Sequence, residues 1–154
     1  MLFRSVLKPR CLVDSKEIVE RQQSLTLQIL EAYNLPKIGR KIIVPRVRVS
    51  LYCGSTTETR KMFKTKFARA NGINPSWDDG DNLFTFLVPN PSVAMISFSI
   101  WDRCGDKAET FVAGSALPIA CVREGYRSVA LFNIDNSRIG VMKYASLLVK
   151  VSRQ

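Results

Sequence analysis

The feature that most constrains the fold is an alternation of apolar and polar side chains with a period of two residues. In "SLTLQILEA" the apolar positions are Leu25, Leu27 and Ile29. In "PRVRVSLY" Val47 and Val49 alternate with arginines and a serine. A period of two places every second side chain on one face of a β-strand, whereas a helix needs a period of 3.6. Both segments are therefore predicted to be strands with one buried face.

Similar runs recur six more times, and turn-forming residues separate them. The six runs are "KMFKTKF" (61–67), "NLFTFLV" (82–88), "VAMISFSIW" (93–101), "TFVAGSAL" (110–117), "RSVALFNI" (127–134) and "YASLLVKVS" (144–152). Segments such as "NGINPSWDDGD" and "RCGDK" supply the turns between them. We predict an all-β fold, an eight-stranded antiparallel β-sandwich over residues 23–154. Residues 1–22 show neither period and are predicted to form an irregular arm.

Composition limits the chemistry that such a sandwich can carry. The chain of 154 residues has no histidine, and none of its four cysteines forms a CxxC pair, so a zinc site is not expected. The missing histidine also removes the commonest general acid or base. The start, "MLFRSVLKPR", is too short and too charged for a secretory signal, and no apolar run is long enough to cross a bilayer. We therefore expect a cytoplasmic location.

Several segments together resemble one known family. They are "LTLQILEAYNLPK", "NGINPSWDD", "LVPNPSVAMISFSIWD", "FVAGSALPIACVREGYRSVALFN" and "ASLLVKVSRQ". In order and spacing this set resembles the C2 domain that ends phosphoinositide-specific phospholipase C. The segment "SVLKPRCLVD" resembles the last residues of that enzyme's catalytic barrel, which here would lie in the arm. The resemblance implies a Greek-key C2 sandwich.

The resemblance also implies what this chain does not do alone. The family's barrel needs two histidines, carboxylates that hold calcium and about 250 residues. Without a histidine and without the barrel, the chain is not expected to hydrolyse phosphatidylinositol bisphosphate by itself. A phospholipase C catalytic barrel is an expected partner. A fragment, a split partner and a truncated relative all remain open.

Calcium is the cofactor that the resemblance raises, because C2 domains hold it with three loops at one end of the sandwich. Asp102 falls on the family's first acidic ligand of the third loop, and Asn71 on a carbonyl ligand of the second. The next acidic positions fall on Cys104 and near Thr110. The first loop, "LPKIGRKIIVP", holds three cations and no acid. We expect a degenerate site that binds calcium weakly or not at all.

Two further acids lie in the same region. Asp106 and Glu109 are candidate replacement ligands for calcium. The alternative is that they only keep the loop soluble, and that Asp102 caps a turn through its own backbone.

Charge indicates a different ligand. Residues 37–69 contain ten Lys or Arg and one acid, and thus account for +9 of the formal net charge of +10. If neighbouring strands bring these cations together, four of them share one solvated sheet face. The predicted lipid-binding residues are Arg46, Arg48, Lys64 and Lys66, with Lys61 and Tyr52 as further contacts. Like charges on one face destabilise a sheet, so we expect an anionic partner, a phospholipid membrane or phosphoinositide headgroups, and peripheral membrane attachment.

The charge pattern has three other interpretations besides lipid binding. In the first, the cations only keep the face wet and protect an edge strand. The second is nucleic acid, which is not an expected partner, because Phe63 and Phe67 are predicted to lie on the apolar face, away from the cations. The third is a structural module that docks on the catalytic barrel. The two tryptophans, Trp77 and Trp101, are predicted to cover the ends of the core, with insertion into a membrane as loop aromatics as the alternative.

Overall fold

The protein is described by a computed structural model that covers residues 23–39, 41–53, 61–69, 71–77 and 80–154. Over these residues the chain forms eight strands, and every pairing between them is antiparallel. The strands are β1 (Gln23–Tyr33), β2 (Pro45–Tyr52), β3 (Lys61–Lys64), β4 (Leu83–Val88), β5 (Met95–Cys104), β6 (Ala108–Pro118), β7 (Gly125–Ala130) and β8 (Ser146–Arg153). The predicted all-β class is thereby confirmed. The predicted irregular arm, residues 1–22, lies outside the described residues.

The strands form two four-stranded sheets, in the orders β4-β1-β8-β7 and β3-β2-β5-β6. Between them lies a single core to which each sheet contributes one face, including Leu27 of β1, Val49 of β2 and Phe98 of β5, all fully buried. Removing such a side chain from water contributes about 1.5–3 kcal/mol, which explains why the alternation decides the fold. In the described residues, no helix is long and apolar enough to span a bilayer.

Two predicted strands are shorter than their sequence patterns. β3 ends at Lys64 because, at the next residue, the side-chain hydroxyl of the buried Thr65 accepts the backbone N–H of Val47 at 2.9 Å. β7 ends at Ala130, and the chain then crosses to the other sheet, where Phe132 exchanges backbone hydrogen bonds with Gly114 at 2.8 and 2.9 Å. Residues 65–67 and 131–134 therefore belong to connections.

A β-bulge in β6 determines which of its side chains face outward. The register passes from Ile100↔Ala113 to Trp101↔Phe111, so that Val112 is an extra residue in β6. Val112 and Ala113 are both buried, and the alternation of β6 reverses beyond them. As a result, the part of β6 that precedes the bulge presents its odd-numbered residues on the outer face of the sheet.

Four connections meet at the same end of the sandwich, which we call the loop end. They are the β1–β2 loop (34–44), the β3–β4 connection (65–82), the β5–β6 turn (105–107) and the β7–β8 loop (131–145). The register confirms the grouping, because Pro45 at the start of β2 pairs with Asp102, and Tyr33 at the end of β1 pairs with Ser146. The side-chain amide of Asn34 also donates to the carbonyl of Tyr144 at 3.3 Å.

Candidate functional site

The outer face of the β3-β2-β5-β6 sheet carries the predicted cations. Val47 and Val49 of β2 point into the core, so Arg46 and Arg48 point away from it. Lys64 of β3 pairs with Arg48 and therefore lies on the same face. We call this surface, defined by Arg46, Arg48 and Lys64, the basic face.

Glu109 joins the two arginines of the basic face. One of its carboxylate oxygens forms an ion pair with the guanidinium of Arg46 and the other with that of Arg48. The side chains are only 20%, 21% and 11% exposed for Arg46, Arg48 and Glu109. The expectation that both arginines face open solvent is therefore wrong, and so is the interpretation of Glu109 as a loop residue that only aids solubility.

Aromatic rings support the same arginines. The guanidinium carbon of Arg48 lies 4.0 Å from the ring centre of Trp101, and that of Arg46 lies 4.6 Å from the ring centre of Phe67. Trp101 also packs edge-to-face against Phe111, with 5.7 Å between centroids. These contacts are cation–π interactions that fix the positions of both charges.

Two ring positions differ from the sequence prediction. Alternation predicts Phe67 on the apolar face, but this residue follows the end of β3 and lies beside the guanidinium groups of Arg46 and Arg103. Trp101 was predicted to cover an end of the core, but it lies half-buried on the outer face of the sheet. The prediction is confirmed for Trp77, which is 5% exposed and belongs to the core.

The other predicted lipid-binding residues do not all share this face. Lys66 lies beyond β3 and forms a 2.6 Å ion pair with Asp81. Lys61 pairs with the buried Leu51 and therefore lies on the opposite side of β3 from Lys64. Tyr52 ends β2 on the face of Arg48 and is 41% exposed. Lys66 nevertheless lines the same surface pocket as Arg46 and Lys64, so its place among the lipid-binding residues stays a prediction.

The residues that resemble calcium ligands are engaged in hydrogen bonds. Asp102 accepts the backbone N–H of Val44 at 2.8 Å and thus ties the β1–β2 loop to β5, instead of capping its own turn as expected. Asn71 accepts the N–H of Asn74 at 3.1 Å. Asp106 is exposed at the tip of the β5–β6 turn.

The remaining family positions carry no acid. Cys104 and Thr110 lie side by side, with 3.0 Å between sulfur and hydroxyl oxygen. Within the ranges that the structure describes, no three His, Cys, Asp or Glu side chains come close enough to hold a metal ion. Two further acidic residues of the β3–β4 connection, Asp78 and Asp79, lie outside those ranges. Calcium needs six to eight oxygen ligands, mostly carboxylate in such sites, and the described acidic side chains do not cluster to supply them.

Two four-stranded antiparallel sheets in these orders, with the loops of one end beside a basic sheet face, define a C2-type sandwich. The family model described as "C2 domain" matches residues 23–134, and the chain belongs to this family.

Within the family, the similarity extends to phosphoinositide phospholipases C. The chain is 36% identical over 126 residues to 1-phosphatidylinositol 4,5-bisphosphate phosphodiesterase gamma-2 of Homo sapiens, covering 82% of this chain and 10% of the enzyme. It is 30% identical over 148 residues to the delta-3-A enzyme of Danio rerio, covering 87% of this chain and 18% of the enzyme. The chain thus spans less than a fifth of these relatives.

Solved structures agree. The crystal structure of S. officinalis PLC21 matches with a TM-score of 0.69 and 28% identity, over 86% of this chain and 16% of that one. A C2 domain of plant Extended Synaptotagmin 1 matches with a TM-score of 0.67 over 85% of this chain and 93% of that domain, and at 18% identity it shows the fold alone.

Proposed function

We propose that the chain is the membrane-binding C2 module of a phosphoinositide phospholipase C, cytoplasmic and peripheral. Its basic face engages anionic phospholipid or phosphoinositide headgroups, and this binding does not need calcium. The observation that carries the proposal is the basic face itself, where Arg46, Arg48 and Lys64 stand on one sheet surface. Catalysis is assigned to a separate barrel, since the chain has no histidine for acid–base work on a phosphodiester.

The electrostatics support an anionic ligand. Residues 37–69 carry nearly the whole formal net charge, and among the described residues Glu109 and Asp81 are the carboxylates that pair with cations of this region. A guanidinium pair held a fixed distance apart suits phosphate, which accepts several charge-assisted hydrogen bonds. Each cation near an anionic surface contributes about 1 kcal/mol.

The ring contacts favour lipid phosphate over nucleic acid. Base stacking needs an accessible ring face. On this surface a guanidinium covers Trp101, and Phe67 lies beside Arg46 and Arg103. These rings therefore position charges, which is the arrangement that a headgroup phosphate requires.

Lys64→Glu tests the proposal, with Lys150→Glu as the matched control. Both lysines are exposed, but Lys150 lies on β8, in the other sheet. We expect Lys64→Glu to weaken co-sedimentation with phosphatidylserine vesicles by about thirtyfold. Loss of the positive charge and gain of a negative charge each cost about 1 kcal/mol of binding free energy. Lys150→Glu should change it far less. Equal effects of the two variants would refute a localised basic face.

A second function, docking on the catalytic barrel, has an observation of its own. Leu83 and Leu87 of the edge strand β4 are 58% and 47% exposed, on the outer face of the other sheet. Exposed leucines on one strand face favour a protein contact. Leu83→Ser with Leu87→Ser should weaken binding to a separately expressed barrel, measured by calorimetry, and leave vesicle binding intact. Unchanged barrel binding would count against this surface.

A further inference from the structure

Strand β7 lacks apolar side chains at two of the three positions that face the core. These positions pair with β8 as Gly125↔Val151, Arg127↔Val149 and Val129↔Leu147. The three partners on β8 are buried core residues, and directly opposed residues share one face of a sheet, so the three β7 residues face the same side. A glycine and an arginine therefore stand where the alternation of a half-buried strand predicts apolar residues.

The missing apolar side chains leave a cavity in the open side of the sandwich, between the edge strands β6 and β7. Its volume is about 150 Å³. Its apolar walls come from both sheets and from the segment that joins β6 to β7, and they consist of Phe98, Leu117, Val122, Val129, Val149 and Val151. Protein interiors keep few voids larger than a water molecule, and an engineered apolar cavity of about 150 Å³ binds benzene. This cavity therefore has room for the apolar part of a small ligand.

The cavity lies at the end of the sandwich opposite the loop end. Leu117, near the end of β6, pairs with Ile96 near the start of β5, whereas the loop end holds the last residues of β5. The cavity also opens between the two sheets, whereas the basic face is the outer surface of one sheet. A ligand of the cavity would thus contact neither the basic face nor the residues that resemble calcium ligands.

The segment that joins β6 to β7 is fastened to β8 beside the cavity. Nη2 of Arg153 donates to the carbonyl of Ile119 at 2.7 Å and to that of Val122. The backbone N–H of Arg153 donates to a carboxylate oxygen of Glu124 at 2.8 Å. These bonds hold residues 119–124 in place, so the wall that they form is set before a ligand arrives. Such preorganisation lowers the entropic cost of binding.

The mouth of the cavity is positively charged. Arg123 and Arg127 line the cavity and are exposed. Nε of Arg127 donates to the carbonyl of Arg123 at 3.3 Å, and Nη2 donates to that of Glu124 at 2.6 Å. Neither bond uses Nη1, and over the described part of the chain no carboxylate forms an ion pair with either arginine. The mouth therefore offers a fixed guanidinium group next to apolar walls.

We propose that this cavity binds a small organic carboxylate. An apolar body about the size of a benzene ring lies against Phe98 and Val149, and the carboxylate pairs with Arg127 at the mouth, with Arg123 as a second cation. One free nitrogen of a guanidinium group suits a singly charged anion, whereas a phosphate draws on several donors. The proposal does not rest on the membrane function and goes beyond it.

Phenylacetate is the probe, and two compounds that each lack one of its parts are the comparison. The compound 2-phenylethanol keeps the ring without the charge, and acetate keeps the charge without the ring. Binding to the full 154-residue chain is measured by calorimetry. We expect phenylacetate to bind at least about tenfold more tightly than 2-phenylethanol, because a hydrogen bond to a charged group is stronger than one to a neutral group. Acetate should show no binding.

Arg127→Gln tests the charge at the mouth, with Lys107→Gln at the exposed β5–β6 turn as the matched control. We expect Arg127→Gln to weaken phenylacetate binding by about tenfold and to leave the affinity for 2-phenylethanol unchanged. The unchanged affinity for the alcohol separates loss of the charge from collapse of the cavity. Arg127→Lys should retain most of the affinity for phenylacetate, and Lys107→Gln should retain all of it.

Cys121 reports where the probe binds, because it is exposed and lines the cavity. Phenylacetate should slow the alkylation of Cys121 by iodoacetamide, measured by mass spectrometry, but not that of Cys104 at the loop end. The proposal would be overturned if phenylacetate did not bind with a dissociation constant below about 10 mM. Equal affinity for phenylacetate and 2-phenylethanol, or equal slowing at both cysteines, would overturn it as well. None of these outcomes bears on vesicle binding, so the proposed function is tested separately.

Discussion

At the scale of single residues, Glu109 occupies the place that an anionic ligand of the basic face would take. Its two oxygens contact Arg46 and Arg48, one each. Under the proposed function, a lipid phosphate would compete with this carboxylate for the same guanidinium groups. Glu109 would thus preserve the geometry of the two arginines and at the same time lower their attraction for lipid.

Glu109→Gln should therefore change stability and lipid affinity in opposite directions. Loss of the carboxylate leaves two half-buried guanidinium groups without their shared counter-charge, so the melting temperature should fall. Removal of one negative charge should raise vesicle affinity about fivefold, or about 1 kcal/mol. Asp106→Asn is the control, because it removes the same charge from the exposed β5–β6 turn without an arginine contact in the described structure. Weaker vesicle binding by Glu109→Gln would show that the carboxylate assists the ligand.

The bulge in β6 hides the position of Glu109 from a reading of the sequence. Strict alternation through the run 110–117 places Phe111 and Ala113 on one face, with Glu109 in the preceding loop. The extra residue, Val112, reverses that assignment. The sequence does indicate that Trp101 lies on the outer face. Ile96, Phe98 and Ile100 alternate and point inward, so the next residue must point outward.

At the scale of elements, Asp102 fastens the β1–β2 loop to β5. We predict that Asp102→Ala lowers the free energy of unfolding by about 1–2 kcal/mol, because Val44 N–H loses a charged acceptor. For a chain of this length the melting temperature should fall by a few degrees, both with chelator and with calcium. Asp106→Ala, at an exposed position, should have little effect. If calcium raised the melting temperature of the unsubstituted chain but not of Asp102→Ala, Asp102 would be a metal ligand.

The existence of each strand is predictable from the sequence, but the ends of β3 and β7 are not. Alternation reports burial on one face, and all eight runs coincide with strands. Their ends depend on long-range partners, such as the hydroxyl of Thr65 with Val47 and the backbone of Phe132 with Gly114. Thr65 and Val47 are 18 residues apart, and Phe132 lies in a connection while Gly114 lies in β6, so no local sequence pattern reveals these contacts.

At the scale of the whole molecule, the concentration of cations is visible in the sequence, whereas their distribution over faces is not. Lys61 and Lys64 belong to one short strand yet lie on opposite sides of it, and Lys66 pairs with Asp81 from the β3–β4 connection. Vesicle binding should still weaken as salt rises, because exposed charges are screened over about 8 Å at physiological ionic strength. Binding that is insensitive to salt would place the attraction outside the basic face.

The most direct test of the central claim is co-sedimentation of the chain with phosphatidylserine vesicles, compared between chelator and excess calcium. The charges proposed to attract lipid are fixed in β2 and β3, and no three His, Cys, Asp or Glu side chains of the described residues come together to hold a metal ion. We predict binding in chelator and no substantial gain on addition of calcium. Vesicle binding that appears only with calcium would contradict this account and return Asn71, Asp102 and Asp106 to the role of ligands.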